Sequence, residues 1–241
     1  MMRKFVLIWC LGDEPPTAEF ERMKCGIMQA FGPEDHWDIL TPNDDDFLAA
    51  VGRYDGYVIS GSAKSVIDDA ETPFVRSLLA LIRGVRDKSS SPMVGICFGA
   101  QSLAAALGGK VGRNPSGVFK LGVDRLKWTA AARRWPEASK PAILVQSHGE
   151  CVVDLPPDSI QMASSDTISH EVFLTQGRFL GVQGHPEADN ALLRGCFMHH
   201  HRSQFDDDTW RVIEHEAEQP LSREPVLALG RRLLIGEGAP H

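Results

Sequence analysis

The chain predicts an α/β fold, a doubly wound and mostly parallel central sheet flanked by helices, with a C-terminal helical extension. Three observations carry this. An apolar run from Lys4 to Leu11 is the pattern of a strand covered on both faces, and Tyr54 to Ser60 and the apolar run Pro92 to Ile96 read as further strands. Helical periodicity fills the stretches between them, so strand and helix alternate through the first half of the chain. Residues with reactive side chains fall at the predicted carboxyl ends of these strands, where sites gather in open α/β sheets.

Length and composition agree with one large domain or a domain with an appendage. The chain has 241 residues, 43% hydrophobic and 24% charged, with a formal charge of −7. That charge argues against a broad nucleic-acid or anionic-membrane surface. Its five cysteines, Cys10, Cys25, Cys97, Cys151 and Cys196, are widely spaced, without a C-x-x-C pair. A disulfide framework or zinc ribbon is not expected, and a reducing, cytoplasmic compartment fits. The apolar N-terminus lacks a small-x-small cleavage site and runs at once into acidic residues and prolines, so it reads as a buried strand, not a signal peptide. No stretch reaches the roughly 20 apolar residues that span a bilayer.

Lys4 to Leu11 is the first strand, and Gly12 to Pro16 a loop. Thr17 caps a helix over Ala18 to Ala30, with Phe20, Met23, Ile27 and Ala30 spaced by three and four. His36 to Leu40 is the second strand. Asn43 is expected to cap a helix whose positive N-terminal end suits Asp44, Asp45 and Asp46. Tyr54 to Ser60 is the third strand, and Gly61 to Ser65 beyond it lacks the phosphate-loop pattern. Thr72 caps a helix over Pro73 to Arg86. Pro92 to Ile96 leads into Cys97 and a small-residue helix closed by Gly108-Gly109.

Strands and turns then dominate, with strands expected at Phe119 to Trp128, Ala142 to Ser147, Cys151 to Val153, Gln161 to Ser164, Glu171 to Thr175 and Phe179 to Gln183. Thr129 to Pro141, with Arg133, Arg134 and Trp135, reads as a surface loop or short helix. Helices follow over Ala188 to His201, from Asp206-Asp207-Asp208, and over Arg223 to Ile235, before a frayed tail from Gly236 to His241.

Gly95-Ile96-Cys97-Phe98-Gly99-Ala100-Gln101 is the stretch around which the rest is organised. A strand turns sharply into a helix with cysteine at the corner, and Gly95 and Gly99 let the backbone bend without side-chain collisions. The G-x-S-x-G elbow of the α/β-hydrolases exposes its serine in the same way. A sulfur at a helix N-terminus is where backbone N–H groups favour the thiolate. A cysteine nucleophile also needs a base, a group that orients the base, and donors for the developing oxyanion. His185 and Glu187 lie two apart just past a strand. An extended chain would point them to opposite faces, so a turn is required to bring them together.

Four motifs, Ile59-Ser60-Gly61-Ser62, the Cys97 elbow, Ser147-His148-Gly149-Glu150 and Gln183-Gly184-His185-Pro186-Glu187, occur in the order of the class I, triad-type glutamine amidotransferases. The resemblance covers Lys4 to Leu193. It is to the glutaminase domain of GMP synthetase and to stand-alone relatives, among which γ-glutamyl peptidases share Ser-Gly-Ser in place of Ser-Gly-Gly. It implies a class I amidotransferase-like domain over residues 1–195, with a helical extension over 196–241 packed on it.

The resemblance also implies roles. Cys97 attacks the γ-carbonyl of glutamine or a γ-glutamyl compound, His185 moves the proton, and Glu187 holds the imidazole. The backbone N–H of Phe98, with that of Gly61 or Ser62, stabilises the oxyanion. Gln101, Ser147 and His148 line the substrate pocket, so of the two histidines that compete for the base, His185 is assigned. A γ-glutamyl thioester forms and water releases glutamate. No cofactor or metal is called for. A separate synthetase chain could receive the ammonia, and a homodimer is compatible.

One departure is Ala100, where the family commonly has histidine. His199-His200-His201 point in different directions on a helix and read as a solvated or interface face. Trp9, Trp37 and Trp128 read as core or half-core. The competing functional readings are a γ-glutamyl peptidase with no ammonia-transfer partner, a non-catalytic binding module of the same fold, and another cysteine-dependent enzyme of similar fold.

Overall fold

Alternate residues of the first strand feed opposite cores. In the computed structural model, which describes residues 2–12 and 17–237, strand β1 (Lys4–Ile8) sends Phe5 and Leu7 into one hydrophobic cluster and Val6 and Ile8 into another. A strand can do this only inside a sheet covered on both faces. The N-terminal apolar run is thus an interior strand, between β2 (His36–Leu40) and β3 (Gly56–Ile59).

Parallel pairing continues from β3 to β4 (Met93–Ile96) and from β4 to β11 (Phe179–Val182). Beyond β11 the nine-stranded sheet turns antiparallel through β10 (Val172–Thr175), β9 (Ser159–Ser164), β6 (Lys120–Trp128) and β7 (Ala142–His148). A separate ribbon pairs β5 (Lys110–Arg113) with β8 (Glu150–Asp154). The expected α/β architecture is present, and its parallel portion carries the ends of β3, β4 and β11 side by side.

Helices cover both faces. Helix α1 (Ala18–Phe31) starts where the Phe20 N–H donates to Thr17 Oγ1 at 3.2 Å, and it buries Met23, Ile27 and Phe31. On the other face lie α2 (Pro73–Lys88) and α3 (Phe98–Leu107), with Phe74, Leu78, Ile82 and Leu103 in the second cluster. Asp206 caps the helix Asp207–Glu216, accepting the Thr209 N–H at 2.7 Å. The last helix, Glu224–Leu234, places Val226, Leu227, Leu229 and Leu234 in the same cluster as α1 and β1. Residues on both sides of the expected 195/196 division share that core, and the division falls inside one helical stretch, 190–201.

Several expectations change. Asn43 and the three aspartates do not open an α-helix: only a 3-10 turn, Phe47–Ala50, forms before Gly52, at a φ of +74°, reverses the chain. Asp44 instead accepts the N–H and hydroxyl of Thr41, at 2.7 and 2.9 Å, closing a turn behind itself. Trp135 is not a surface residue; it is buried between two short 3-10 turns, with Arg134 stacked on its ring. Strand β5 was not expected, because Lys110–Arg113 is short and only half-buried. Most of the loop expected from Gly12 to Pro16, and the tail from residue 238, lie outside the described residues. No helix among the described residues is long and apolar enough to cross a membrane.

Candidate active site

Strand β4 passes into α3 through one residue, Cys97, held at φ 51° and ψ −109°. A non-glycine residue adopts that backbone only when its surroundings enforce it. Here the Cys97 N–H donates to Val182 O at 2.8 Å, and its carbonyl accepts the Gln101 N–H at 3.0 Å. The flanking glycines let the helix lie against the strand ends. A Cβ on Gly95 would sit 2.5 Å from the backbone of Gly99, and one on Gly99 would sit 2.5 Å from Ile59 O. The sulfur is nearly buried, with the Ser147 carbonyl oxygen 3.7 Å away.

His185 reaches the same place from the end of β11. Its N–H donates to Val145 O at 2.8 Å, so the residue bridges to the edge of β7. The chain then turns: Ala188 N–H donates to His185 O at 3.1 Å. This closes the reversal that the two-residue spacing requires and brings Glu187 Oε1 to 2.8 Å from His185 Nδ1. Both side chains are almost inaccessible, 4% and 1% exposed. A carboxylate only accepts, so Nδ1 carries the proton. Among the described residues His185 Nε2 has no partner at hydrogen-bonding distance. Burial works against a charged imidazole, yet the Glu187 carboxylate and then the neighbouring Cys97 outweigh it and raise its pKa. Phe197 packs on the imidazole, ring centroids 4.7 Å apart, from a widened π turn over Leu193–Met198.

Gly61 lies against both groups. A Cβ there would come within 3.1 Å of His185 Cε1 and 3.7 Å of Cys97 Cβ. Hydroxyls pin its loop to the end of β1: Ser60 Oγ accepts the Cys10 N–H at 2.9 Å, and Ser62 Oγ donates to Cys10 O at 2.7 Å. Among the described residues no acceptor takes the N–H of Gly61 or Ser62. Phe98 N–H, in the first turn of α3, has no intrahelical acceptor by construction.

Around this centre, Gln101 Nε2 donates to Glu150 O at 2.9 Å. The Glu150 carboxylate accepts Ser65 Oγ at 2.6 Å and Arg113 Nη1 at 2.7 Å. Ser147 contributes the carbonyl beside the sulfur. His148, at the end of β7, is turned toward Gln146, Nε2 to Oε1 3.1 Å. Gln146 Nε2 in turn lies 3.1 and 3.2 Å from the carboxylate oxygens of fully buried Glu171. Burial, then the positive charge of His185 and of Lys120, pushes His148 down to about 3, so it is neutral at pH 7. Burial likewise lifts Glu171 to about 8. Ala100, at the usual histidine position, is fully buried with Ala104, Val152 and Phe173.

Cys97, His185, Glu187 and Gly61 are therefore brought together, with Ser62 and Phe98 adjoining and Gln101, Ser147 and His148 around them. Sequence reasoning missed Gln146 and Glu171, which support His148, and Phe197 and Arg223, which touch the His185 turn. Only Glu150 carried a signal, as the last residue of the Ser147-His148-Gly149-Glu150 motif. The rings of His200 and His201 meet edge-on, with centroids 4.8 Å apart. His201 stacks on Phe119 at 4.5 Å and bonds Gln204, and among the described residues no three His, Cys, Asp or Glu side chains form a metal-binding group.

Residues 27–195 match the family model of class-I glutamine amidotransferases. The chain belongs to this family. A Saccharomyces cerevisiae protein provisionally named a glutamine amidotransferase is 37% identical over 137 residues, 56% of this chain but only 53% of its own length. This chain thus spans about half of that relative. Gamma-glutamyl peptidase 4 of Arabidopsis thaliana is 30% identical over 190 residues, 74% of each chain. The crystal structure of a glutamine amidotransferase from Thermotoga maritima superposes with a TM-score of 0.70, covering 98% of this chain and 97% of its own at 20% identity, a likeness of fold.

Proposed function

We propose that this amidotransferase-family chain hydrolyses a γ-glutamyl amide bond through a γ-glutamyl thioester on Cys97. The observation that carries the reading is the meeting of three strand ends: a cysteine on a strained elbow, a histidine oriented by a glutamate at 2.8 Å, and Gly61 packed against both. In the reaction, the Cys97 sulfur bonds to the γ-carbonyl carbon while His185 holds the thiol proton. The oxyanion is met by the N–H of Phe98 and of Gly61 or Ser62. Collapse breaks the C–N bond, and His185 gives its proton to the departing amine. His185 then takes a proton from water, whose oxygen displaces the sulfur, releasing glutamate and restoring the thiol. Gln101, Ser147 and His148 hold the glutamyl end, and neutral His148 adds no positive charge beside His185.

Ammonia is the leaving group when glutamine is the substrate, and a separate synthetase chain would consume it. A second reading, a γ-glutamyl peptidase with no ammonia-transfer partner, draws on the likeness to γ-glutamyl peptidase 4 through three-quarters of both chains. Purified protein incubated with glutamine and a series of γ-glutamyl dipeptides distinguishes them by which substrate yields glutamate fastest, and whether ammonia or an amino acid accompanies it. In either case Cys97→Ser lowers glutamate release by several orders of magnitude. Undiminished release by Cys97→Ser removes the mechanism, and no release from any γ-glutamyl compound favours a binding module.

A further inference from the structure

The turn that joins His185 to Glu187 leaves two of its carbonyls pointing outward, and a side chain from far along the chain takes both. Arg223 Nη1 donates to Pro186 O at 3.2 Å and to Glu187 O at 3.0 Å. Carbonyls at the two central positions of an i to i+3 turn have no partner within the turn, so their fixation must come from outside. Among the described residues Arg223 forms no ion pair: Asp189 nearby is taken by Arg22 at 2.8 Å, and Glu224 by Arg231. Its hydrogen bonds go to the turn, while its charge also acts on the Asp189 carboxylate.

Where Arg223 begins is fixed as firmly. Ser222 exchanges both backbone hydrogen bonds with Ile143, at 3.0 and 3.1 Å, and its hydroxyl donates to Pro141 O at 2.7 Å. Two residues further along the same edge of β7, Val145 O accepts the N–H of His185. The segment before the last helix and the base therefore dock side by side on one strand edge. On the far side of Arg223 the last helix is anchored by Val226 and Leu227 in the core.

We infer that Arg223 is a positioning residue, through which the C-terminal extension clamps the His185–Glu187 turn and keeps the carboxylate on the imidazole. The inference rests on the catalytic reading of His185 and Glu187, and it gives the helices beyond residue 195 a part in the chemistry. Arg223 lines a cavity of about 450 Å³ together with Arg22, Gln29 and Glu187, so the guanidinium is reachable from outside.

The test is a double-mutant cycle on kcat/KM for glutamate release with Arg223→Ala, Glu187→Gln and the pair, joined to proton NMR of His185 Nδ1–H. Arg223→Ala is expected to lose about tenfold or more in the Glu187 background, mostly in kcat, and less than about twofold in the Glu187→Gln background. Ethylguanidinium should restore part of the loss through the vacated cavity, and Arg223→Lys, which keeps one cationic donor, should retain most of the rate. The downfield Nδ1–H signal of wild type should broaden or vanish in Arg223→Ala, a readout that stands even if the wild-type protein turns over no γ-glutamyl compound. Equal losses in both backgrounds, or an unchanged Nδ1–H signal in folded Arg223→Ala, overturn the inference. If the alanine variant fails to fold, an unchanged signal in Arg223→Met does the same. A silent wild-type enzyme with the predicted NMR change rejects the substrate reading alone.

Discussion

Glu187 faces His185 across 2.8 Å with both side chains nearly inaccessible, so its charge counts for far more than that of a surface carboxylate. Replacing it with glutamine keeps the shape and removes the charge that lifts the imidazole pKa. Glu187→Gln is expected to lower kcat on the order of 10³-fold with little change in KM, the pattern of an interaction made mainly in the transition state. A fall confined to KM, in steady-state assays, would place Glu187 in substrate binding instead. Glu171 offers a separate test by stability. Its folded pKa of about 8 lies above the roughly 4.3 of a free glutamate side chain. Between those values the folded protein holds a proton that the unfolded chain has released, so stability falls as pH rises through the window and levels off above it. Glu171→Gln removes the dependence. Denaturant titrations should show the variant gaining on wild type from pH 5 to pH 8, and a pH-independent difference would contradict the assignment. Neither Glu171 nor Gln146 stood out in the sequence, because a polar residue inside a strand run looks the same whether it faces water or a buried partner.

At the scale of elements, the β4–Cys97–α3 elbow was legible because its constraints are local. A sharp reversal with no room for side chains demands glycine at fixed offsets, and Gly95 and Gly99 occupy them. Gly99→Ala would drive a Cβ to 2.5 Å from the Ile59 carbonyl, backbone against backbone, which no rotamer change relieves. It is expected to cost at least the 1–3 kcal/mol typical of overpacking, about that loss or more in denaturant unfolding, and to displace the elbow from Gly61. Unchanged stability would mean that the helix lies further from β3 than described. The His185–Pro186–Glu187–Ala188 turn was only half legible. Its residues were evident and its need was evident, but its closure depends on Val145 and Arg223, far away in the chain. The expected helix at Asn43 failed for the opposite reason: a good N-terminal signal meant little when only Phe47–Ala50 remained before Gly52.

Across the whole molecule, strand order could not be read from the chain, since β11 inserts beside β4 only after β5 to β10 have been laid down elsewhere. That insertion is what sets His185 next to Cys97. The C-terminal helices, expected as an extension packed on the domain, share one core with α1 and β1, and Leu227 sits in it. Leu227→Ala is expected to destabilise the protein by about 2–5 kcal/mol. Tryptophan fluorescence and far-ultraviolet circular dichroism should report one coincident unfolding transition. Two separated transitions would show that residues 196–241 unfold on their own.

The proposed mechanism requires a covalent bond to one sulfur, and intact and peptide mass spectrometry after acid quench reads that bond. During turnover of a γ-glutamyl substrate, the peptide containing Cys97 should carry the mass of one γ-glutamyl group, labile to hydroxylamine, with Cys10, Cys25, Cys151 and Cys196 unmodified. Turnover with no adduct on Cys97, together with full activity of Cys97→Ser, would contradict it.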